Sequence, residues 1–249
     1  MVLSMVGLET RQAEDRIVRS VHETPSYRVT GPFVSVVIPA YNEEKYLPSL
    51  LSALQNQTYT SIETIVVDNL SEDSTPRIAA DSGAKVLFNF DFNIAKSRNI
   101  GARGSHGSIL IFIDADTIPE KIVVEKTVES ILSGMELVYT NHCCIDSSFQ
   151  SLLRVGSGML SPKMLNFNGC YMGVSRQAYE EVGGFDELCI GEDVVFGQSI
   201  TERFGMDRVG YLRNIYSATS ARRQKAEGYF VPTHFQSRDI RRYEQYDII

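Results

Sequence analysis

The sequence predicts an α/β domain built on a mainly parallel sheet, and three observations support this fold class. Short apolar runs rich in β-branched residues alternate with segments of helical periodicity from residue 34 to about residue 140. Strands that alternate with helices of this length are typical of βαβ units. Hydrophobic residues make up 43% of the 249-residue chain and charged residues 22%, as in ordinary globular domains. We therefore expect one large domain with short appendages.

The elements of the first half follow in a regular order. A polar, charge-mixed stretch predicts a helix over Glu9–Val21, and Pro25 and Gly31-Pro32 then predict a linker. Apolar residues at i, i+3 and i+4 spacing predict a helix at Glu43–Gln57, whereas compact apolar runs predict strands. The other predicted elements here are strands at Val34–Ile38 (closed by Pro39), Ile62–Val67, Lys85–Phe88 and Ile109–Ile113, and helices at Asp73–Ser82 and Ile94–Ala102.

The alternation continues briefly beyond Ile113 and then weakens. The sequence predicts a helix at Pro119–Ser133, stopped by Gly134, and a strand at Glu136–Thr140. The segment from Ser151 to Lys163 is loop-like because it is rich in Gly, Ser and Pro. The last predicted elements are a returning strand within Asn168–Ser175, a short helix at Arg176–Val182, and a helix that begins with Gly191-Glu192-Asp193.

Composition and charge limit the functional classes. No apolar run approaches the roughly 20 residues that a membrane-spanning helix needs. The four cysteines show no CxxC spacing of a zinc site, and the adjacent Cys143 and Cys144 are poor disulfide partners, so we expect reduced thiols in a cytoplasmic setting. The net charge is −7, yet residues 208–242 carry eight basic and two acidic side chains. This region either faces an anionic substrate or a membrane surface, as a peripheral contact, or is a solvated face balanced by acids elsewhere. We expect no nucleic-acid partner.

Two aspartates directly follow the predicted strand Ile109–Ile113. Asp114 and Asp116 are separated by one small residue, so their side chains point to the same side of an extended chain. Paired carboxylates suit a hard divalent cation such as Mg²⁺ or Mn²⁺. The alternative is that they only precede the next helix, because Pro119 and Glu120 resemble a first helical turn.

Polar residues follow two further predicted strands, and open α/β sheets bind ligands at this edge. They are Pro39-Ala-Tyr-Asn-Glu43 and Asp68-Asn-Leu-Ser-Glu-Asp73. A Pro-terminated strand exposes backbone groups, and an aromatic residue such as Tyr41 can cover a flat ring. The sequence therefore predicts a ligand crevice formed by three strand ends.

Together these motifs resemble those of the family-2 glycosyltransferases, which are inverting enzymes of the GT-A fold. The resemblance extends from about Val34 to Phe204 and includes three later motifs: Asn93-Ile-Ala-Lys-Ser-Arg98-Asn99-Ile-Gly101, Asn168-Gly169 through Gly183-Gly-Phe-Asp186, and Gly191-Glu192-Asp193. It implies a Rossmann-like GT-A sheet flanked by helices, with a smaller mixed subregion on the acceptor side. The implied organisation is an N-terminal extension at 1–32, a catalytic domain at 33–220 (nucleotide-binding part 33–118, acceptor-side part 119–220), and a basic C-terminal tail or loop at 221–249.

On the donor side, the resemblance assigns residues to each part of a sugar nucleotide. Asp68 would accept a hydrogen bond from the base. The nucleoside would be held by Pro39, Ala40, Tyr41 and Glu43, although Glu43 also suits a first helical turn. Near the diphosphate would lie Lys96, Arg98 and Asn99, at a helix start that is a natural phosphate site. The alternative for this last group is a capped surface helix.

The resemblance also assigns the metal and the catalytic base. Asp116 would be the main ligand of Mn²⁺ or Mg²⁺, and Asp114 would bind the ribose or assist the metal. Asp193 would be the catalytic base, unless it and its neighbour only favour a helix N-terminus. The acceptor side would be lined by Asn168, Gly169 and Glu192.

The implied function is the transfer of a hexose from a UDP- or GDP-sugar to an acceptor hydroxyl, on a saccharide, a lipid-linked molecule or a protein. Asp68-Asn69-Leu70-Ser71 replaces the family's usual Asp-Asp-Gly-Ser, so the donor's identity is not carried over. One alternative is a non-catalytic module that binds nucleotide sugars. A sugar nucleotidyltransferase is less favoured, because no Gly-rich basic loop follows the first strand. The match near the C-terminus is loose, and His234 is assigned no role.

Overall fold

A mixed sheet of eight strands organises the fold in the computed structural model, which describes residues 2–144, 169–188 and 191–220. The strands are β1 (Val34–Ala40), β2 (Ile62–Asp68), β3 (Lys85–Phe88), β4 (Ile109–Ile113), β5 (Thr117–Pro119), β6 (Leu137–Cys144), β7 (Tyr171–Ser175) and β8 (Val209–Thr219). The helices are α1 (Val2–His22), α2 (Leu47–Gln55), α3 (Thr75–Asp81), α4 (Ile94–Arg103), α5 (Val123–Leu132), α6 (Arg176–Glu181) and α7 (Glu192–Phe204), with a 3₁₀ turn at Met206–Arg208.

The first half of the sheet is parallel, as predicted. Its order is β3-β2-β1-β4, with β1 paired in parallel to both β2 and β4. Helices α2, α3 and α5 cover one face, and α4, α6 and α7 cover the other. Every residue of β1 is buried for this reason, and all of them except Ser35 are apolar, so the strand does not alternate between polar and apolar residues. The predicted α/β fold class is confirmed.

The second half of the sheet is mixed. Strand β7 is antiparallel to both β4 and β6, whereas β6 and β8 are parallel. Strand β5 is antiparallel to β8, with Thr117 opposite Thr219. The sequence pattern predicted neither β5 nor β8.

Three predicted boundaries are wrong for identifiable reasons. Strand β1 continues through Pro39, because the pairing with β4 ends at Val37 and the missing N–H is not needed there. Helix α2 begins at Leu47 rather than residue 43, because residues 43–46 form a turn in which the N–H groups of Tyr46 and Leu47 bond to the carbonyl of Glu43. Helix α5 begins at Val123, since residues 117–119 pair with β8 instead.

Glu120 consequently lies before helix α5. The alternative interpretation, in which Pro119 and Glu120 form the first turn of a helix directly after the two aspartates, is wrong. Its side chain accepts hydrogen bonds from Arg16 Nε, at 2.7 Å, and from the Tyr216 backbone N–H, at 2.9 Å. Helix α1 is therefore joined both to the segment after β5 and to β8. Ala13 and Ile17 of α1 pack with Tyr216 in a small separate core.

Several predicted features lie outside the described residues: Asn168, the loop-like segment 151–163, and the tail 221–249. Within the parts of the chain that the structure describes, no helix is both long and apolar enough to cross a lipid bilayer.

Candidate active site

The ends of β1 and β2 form one wall of the predicted crevice. Pro39 and Ala40 are buried at the end of β1, and the carbonyl of Ala40 accepts the Asn69 N–H at 2.8 Å, which joins the two strand ends. Tyr41 follows with 44% of its surface exposed. Its ring meets Phe92 edge-to-face, with the centroids 5.1 Å apart. An exposed aromatic face therefore stands beside the polar strand ends.

Asp68 is the deepest acid of this wall, with 2% of its surface exposed. Its Oδ2 accepts the Ser71 N–H at 3.2 Å, whereas its buried Oδ1 has no hydrogen-bond partner among the described residues. Leaving a buried acceptor unsatisfied is costly, so this atom is suited to an N–H donor from a ligand. Glu43 is also buried, and its backbone N–H donates to Thr75 Oγ1 at 2.7 Å.

The two aspartates after β4 have separate surroundings. The Asp114 N–H donates to the carbonyl of Cys170 at 3.2 Å, and the Asp114 Oδ1 accepts from Arg98 Nη2 at 3.0 Å. The carboxylate of Asp116 instead faces the end of β8. Its Oδ1 accepts from Thr219 Oγ1 at 3.4 Å, and its Oδ2 accepts from Ser220 Oγ.

The donor set of these aspartates fits a hard divalent cation only as a partial shell. No group of three or more His, Cys, Asp or Glu side chains that could hold a metal ion occurs within residues 2–144, 169–188 and 191–220. Mg²⁺ in phosphate-transfer sites is commonly held by one or two carboxylates, with substrate phosphates and water completing the coordination. Asp114 and Asp116 match that arrangement.

The side chains predicted near the diphosphate divide into one outward-facing and two internal groups. Lys96 is partly exposed and forms an ion pair with Asp91. Asn99 is buried and holds the segment around Phe185: its Nδ2 donates to the Phe185 carbonyl at 2.8 Å, and its Oδ1 accepts the Phe185 N–H at 3.0 Å. Arg98 is fully internal, with 1% of its surface exposed.

Arg98 lies between the strand ends and the start of α7. Its Nη1 donates to Glu192 at 2.5 Å, while its Nη2 donates to Asp114 and, at 3.4 Å, to the carbonyl of Gly169. Burial lowers the pKa of Arg98, but the carboxylates of Glu192 and Asp114 outweigh it and give a net rise. The guanidinium is therefore charged.

Asp193 stands at the N-terminus of α7, which begins after Gly191 in a left-handed conformation (φ 79°). Its Oδ2 accepts the Gly169 N–H at 2.6 Å, and its Oδ1 accepts the Val194 N–H at 2.9 Å. Burial and the neighbouring Glu192 raise the pKa of Asp193, while Arg98 and the two N–H groups partly lower it. A carboxylate with a raised pKa is a stronger proton acceptor than an ordinary aspartate.

The backbone of Gly169 bonds to both Arg98 and Asp193. A β-carbon at this position would lie 2.9 Å from Asp193 Oδ2 and 3.1 Å from Arg98 Nη2. The close approach of this peptide to both side chains therefore requires glycine. Of the three predicted acceptor-side residues, the structure brings Gly169 and Glu192 together, and Asn168 falls outside the described part of the chain.

The motifs and the geometry lead to a family that comparison identifies. A sequence model of glycosyl transferase family 2 matches residues 35–183, more than half of the chain. The chain belongs to glycosyl transferase family 2. The resemblance predicted from the motifs is thereby confirmed.

Named relatives of this family 2 chain include glycosyltransferase AglE of Haloferax volcanii, 38% identical over 121 residues, or 45% of this chain and 40% of that protein. A second is 4,4'-diaponeurosporenoate glycosyltransferase of Staphylococcus haemolyticus, 47% identical over 94 residues, or 35% of this chain and 25% of that protein. The chain spans between 34% and 55% of the length of the first three curated relatives.

Solved structures confirm the GT-A fold of the family 2 chain. Glucosyl-3-phosphoglycerate synthase from Mycobacterium tuberculosis, solved with Mn²⁺, UDP-glucose and phosphoglyceric acid, superposes with a TM-score of 0.62. It is 22% identical, and the match covers 80% of this chain and 75% of that one. TarS of S. aureus gives a TM-score of 0.63 at 19% identity, covering 78% of this chain and 62% of that one.

Sequence reasoning missed Thr219 and Ser220, whose hydroxyls reach Asp116. The basic residues are the most evident feature of the segment 208–242, and they do not indicate the strand that carries Thr219. The β-branched and aromatic residues of the segment 209–219 were the available signal for that strand.

Proposed function

We propose that this chain is an inverting glycosyltransferase that moves a hexose from a nucleoside diphosphate sugar to an acceptor hydroxyl. The observation that carries the proposal is the convergence of carboxylates at one edge of the sheet. Asp68, Asp114 and Asp116 follow parallel strands there, and Arg98 and Gly169 join Asp114 to Asp193. Carboxylates can accept hydrogen bonds from the N–H and hydroxyl groups of a nucleoside or a sugar, and they can hold the cation that binds a diphosphate.

The nucleoside is proposed to lie against the ends of β1 and β2. The unpartnered Asp68 Oδ1 supports this position, because it can accept an N–H from the edge of a base. Tyr41 offers an exposed ring, and the buried Glu43 offers a carboxylate that accepts ribose hydroxyls. Both uracil and guanine present a ring N–H to such an acceptor, so UDP- and GDP-sugars are the donors to test.

Asp116, assisted by Asp114, is proposed to hold Mn²⁺ or Mg²⁺ against the diphosphate. When bound, the cation neutralises the charge that develops on the leaving nucleoside diphosphate. The solved M. tuberculosis relative contains Mn²⁺ together with UDP-glucose, which supports a divalent cation here. The chain's own contribution is to hold Asp116 through the hydroxyls of Thr219 and Ser220.

Asp193 is proposed to be the base of a single displacement. It removes the proton from the acceptor hydroxyl as that oxygen bonds to the anomeric carbon of the sugar. The bond from that carbon to the phosphate oxygen breaks, and its electron pair leaves with the nucleoside diphosphate. Attack from the face opposite the phosphate inverts the anomeric centre. The raised pKa of Asp193 supports this role, because proton transfer is most efficient when the base has a pKa closer to the working pH.

The acceptor is proposed only as a molecule with a free hydroxyl. The names of similar proteins mention 4,4'-diaponeurosporenoate in one case and phosphoglyceric acid in another, so no single acceptor carries over to this chain. The basic region 208–242 either docks on an anionic lipid surface or helps to hold the diphosphate. Co-sedimentation with anionic and neutral liposomes at low and high salt distinguishes the two roles.

The donor is the first thing to test. Thermal shift with UDP-, GDP- and dTDP-sugars in the presence of Mn²⁺ should reveal one nucleotide class that raises the melting temperature, because a bound ligand stabilises the folded state. Release of that nucleoside diphosphate across a panel of hydroxyl acceptors then measures transfer. Binding without transfer or slow donor hydrolysis would favour a non-catalytic module instead. Absence of any nucleotide effect would contradict the proposal.

A further inference from the structure

We propose that Arg98 is a positioning residue that fixes Asp114 and Asp193 relative to each other, and that it does not bind the donor's phosphate groups. This inference rests on the proposed function and deepens it. An arginine in the first half of a helix that begins beside a diphosphate site is otherwise expected to contact phosphate directly. The contacts of Arg98 indicate a different use of the charge.

The donors at the end of the Arg98 guanidinium are directed at the protein itself. Nη1 is bonded to Glu192 at 2.5 Å, and Nη2 is shared between Asp114 at 3.0 Å and the Gly169 carbonyl at 3.4 Å. The remaining nitrogen, Nε, is buried and has no partner among the described residues. The Phe185 ring lies 5.4 Å from the guanidinium carbon and covers it further. With 1% of the side chain exposed, a phosphate would reach it only after these contacts were broken.

The groups that Arg98 contacts belong to three separate parts of the chain. Asp114 follows β4, Gly169 precedes β7, and Glu192 begins α7. Gly169 transmits the constraint to the base, because its carbonyl accepts from Arg98 while its N–H donates to Asp193 at 2.6 Å. One guanidinium therefore sets the spacing between a residue proposed for the donor and metal and the residue proposed to deprotonate the acceptor.

The geometry indicates that lysine cannot take over the role of Arg98. A lysine keeps the positive charge but lacks the planar fork that bonds Glu192 and Asp114 at the same time. A β-carbon at Gly169 would lie 3.1 Å from Arg98 Nη2, so this glycine also has little tolerance. The arrangement depends on the shape of the guanidinium as well as on its charge.

The test compares Arg98→Gln, Arg98→Lys and, as a matched control, Arg103→Gln, which removes an exposed charge from the same helix. Titration calorimetry measures the affinities of UDP and uridine in EDTA and then the affinity of Mn²⁺ for the UDP complex. For a positioning residue, the ratio of UDP to uridine affinity stays within about twofold of the wild-type ratio, while transfer falls by about 10²-fold or more because the base is misplaced. For a phosphate ligand, the ratio itself collapses.

A pH–rate profile adds a readout that a purely structural defect would not move. The charged or titratable groups that act on Asp193 are Glu192 on α7, Arg98 on α4, Tyr139 on β6 and Cys170 before β7. Arg98 lowers the pKa of Asp193, so Arg98→Gln should move the acidic limb of the residual kcat/KM upward by about one pH unit. Arg98→Lys should move it less, and Arg103→Gln should leave it in place.

Neutralising a buried arginine leaves Glu192 and Asp114 without their cation, and such a variant can fail to fold. The double variant Arg98→Gln/Glu192→Gln removes one charge of each sign and replaces the ion pair with an amide pair. It should fold, keep the ratio of UDP to uridine affinity and lose transfer. A collapsed affinity ratio in either glutamine variant would overturn the inference. A wild-type protein that binds none of UDP, GDP and dTDP would overturn the proposed function itself, and this inference with it.

Discussion

The parallel and mixed halves of the sheet differ in how they are built and in what they contribute to the site. The parallel half, β3-β2-β1-β4, is formed by successive βαβ units and supplies Asp68, Asp114 and Asp116 at its strand ends. The mixed half, β7-β6-β8-β5, supplies the hydroxyl groups of Thr219 in β8 and of Ser220 after it, which bond to Asp116. The side chain of Asp114 is instead held by Arg98 on α4, within the parallel half. Of the two aspartates after β4, only Asp116 therefore has its side chain placed by a strand that comes much later in the sequence.

The largest effect is expected at Asp193, which is bonded to the Gly169 N–H just before β7 of the mixed half. Asp193→Asn should reduce transfer by about 10²–10⁴-fold, the usual contribution of a general base, while UDP affinity is retained. Asp207→Asn, an exposed acid beyond the end of α7, is the matched control and should keep wild-type activity. Initial rates at saturating donor check both. Full activity of Asp193→Asn would disprove its role as the base.

The same variant gives a stability test with a definite sign. A carboxyl group whose pKa is higher in the folded than in the unfolded state destabilises the protein at neutral pH, and this penalty disappears as the pH falls through the folded pKa. Asp193→Asn keeps an acceptor for only one of the Gly169 and Val194 N–H groups, which lowers the melting temperature by the same amount at every pH. The pH-dependent part has a definite sign: the melting temperature of the variant relative to wild type should fall from pH 7 towards acidic pH. Thermal melts from pH 4 to pH 8 measure this, and a relative melting temperature that rises towards acidic pH would contradict it.

The next effect concerns Asp116, where the two halves meet. Asp116→Asn should weaken Mn²⁺-dependent UDP binding by at least about tenfold, a loss seen even for residues that only support a metal ligand. Ser220→Ala removes a hydroxyl from the same carboxylate and should have the same sign with a smaller size. Calorimetry with and without Mn²⁺ separates the metal-dependent part. An equal loss in EDTA would assign Asp116 to the nucleotide instead.

A smaller effect is expected where α1 joins the mixed half. Arg16→Gln leaves the buried carboxylate of Glu120 with the Tyr216 N–H but without its cation. We expect the free energy of unfolding to fall by about 1–3 kcal/mol. Arg11→Gln, on an exposed part of the same helix, should change it little. Urea denaturation measures both. Equal stability of the two variants would show that α1 contributes no support through Glu120.

The smallest effect lies in the parallel half, at a turn after β2. Leu70 has a φ of 64°, a left-handed conformation that disfavours a residue with a β-carbon. Leu70→Gly should raise the free energy of unfolding by less than about 1 kcal/mol, because relief of strain is partly offset by the chain entropy of glycine. Leu70→Ala keeps the β-carbon and should give no such gain. A gain with alanine would point to the exposed leucine side chain rather than the backbone.

The two halves of the sheet also differ in how well the sequence predicts them. Strands β1 and β4 were predictable because burial on both faces makes them almost wholly apolar, and Asp114 directly follows β4. Strand β2 was predictable from the buried Ile-Val-Val run of its second half, which ends at Asp68. Strand β5 was not, because three residues carry too little periodicity and depend on β8, about 100 residues later, for pairing. The bonds of Thr219 and Ser220 to Asp116 could not be predicted for the same reason, because these residues also lie about 100 positions apart in the sequence. The sequence predicts a helix that contains Arg98, but only the tertiary fold shows that the charge of this residue faces inward.

The hydrogen bond between the Asp114 N–H and the Cys170 carbonyl lies at the seam between the two halves. The pairing of β4 with β7 ends beside it, where Ile113 is opposite Tyr171. The Asp114 amide is therefore a reporter of how the two halves separate. If they open by a cooperative rupture of β4 from β7, this amide should exchange with solvent deuterium at the same rate as those of Leu110 and Phe112, whose N–H groups also face β7. Faster exchange at Asp114 alone would mean that the seam frays from the crevice inward, next to the proposed metal site.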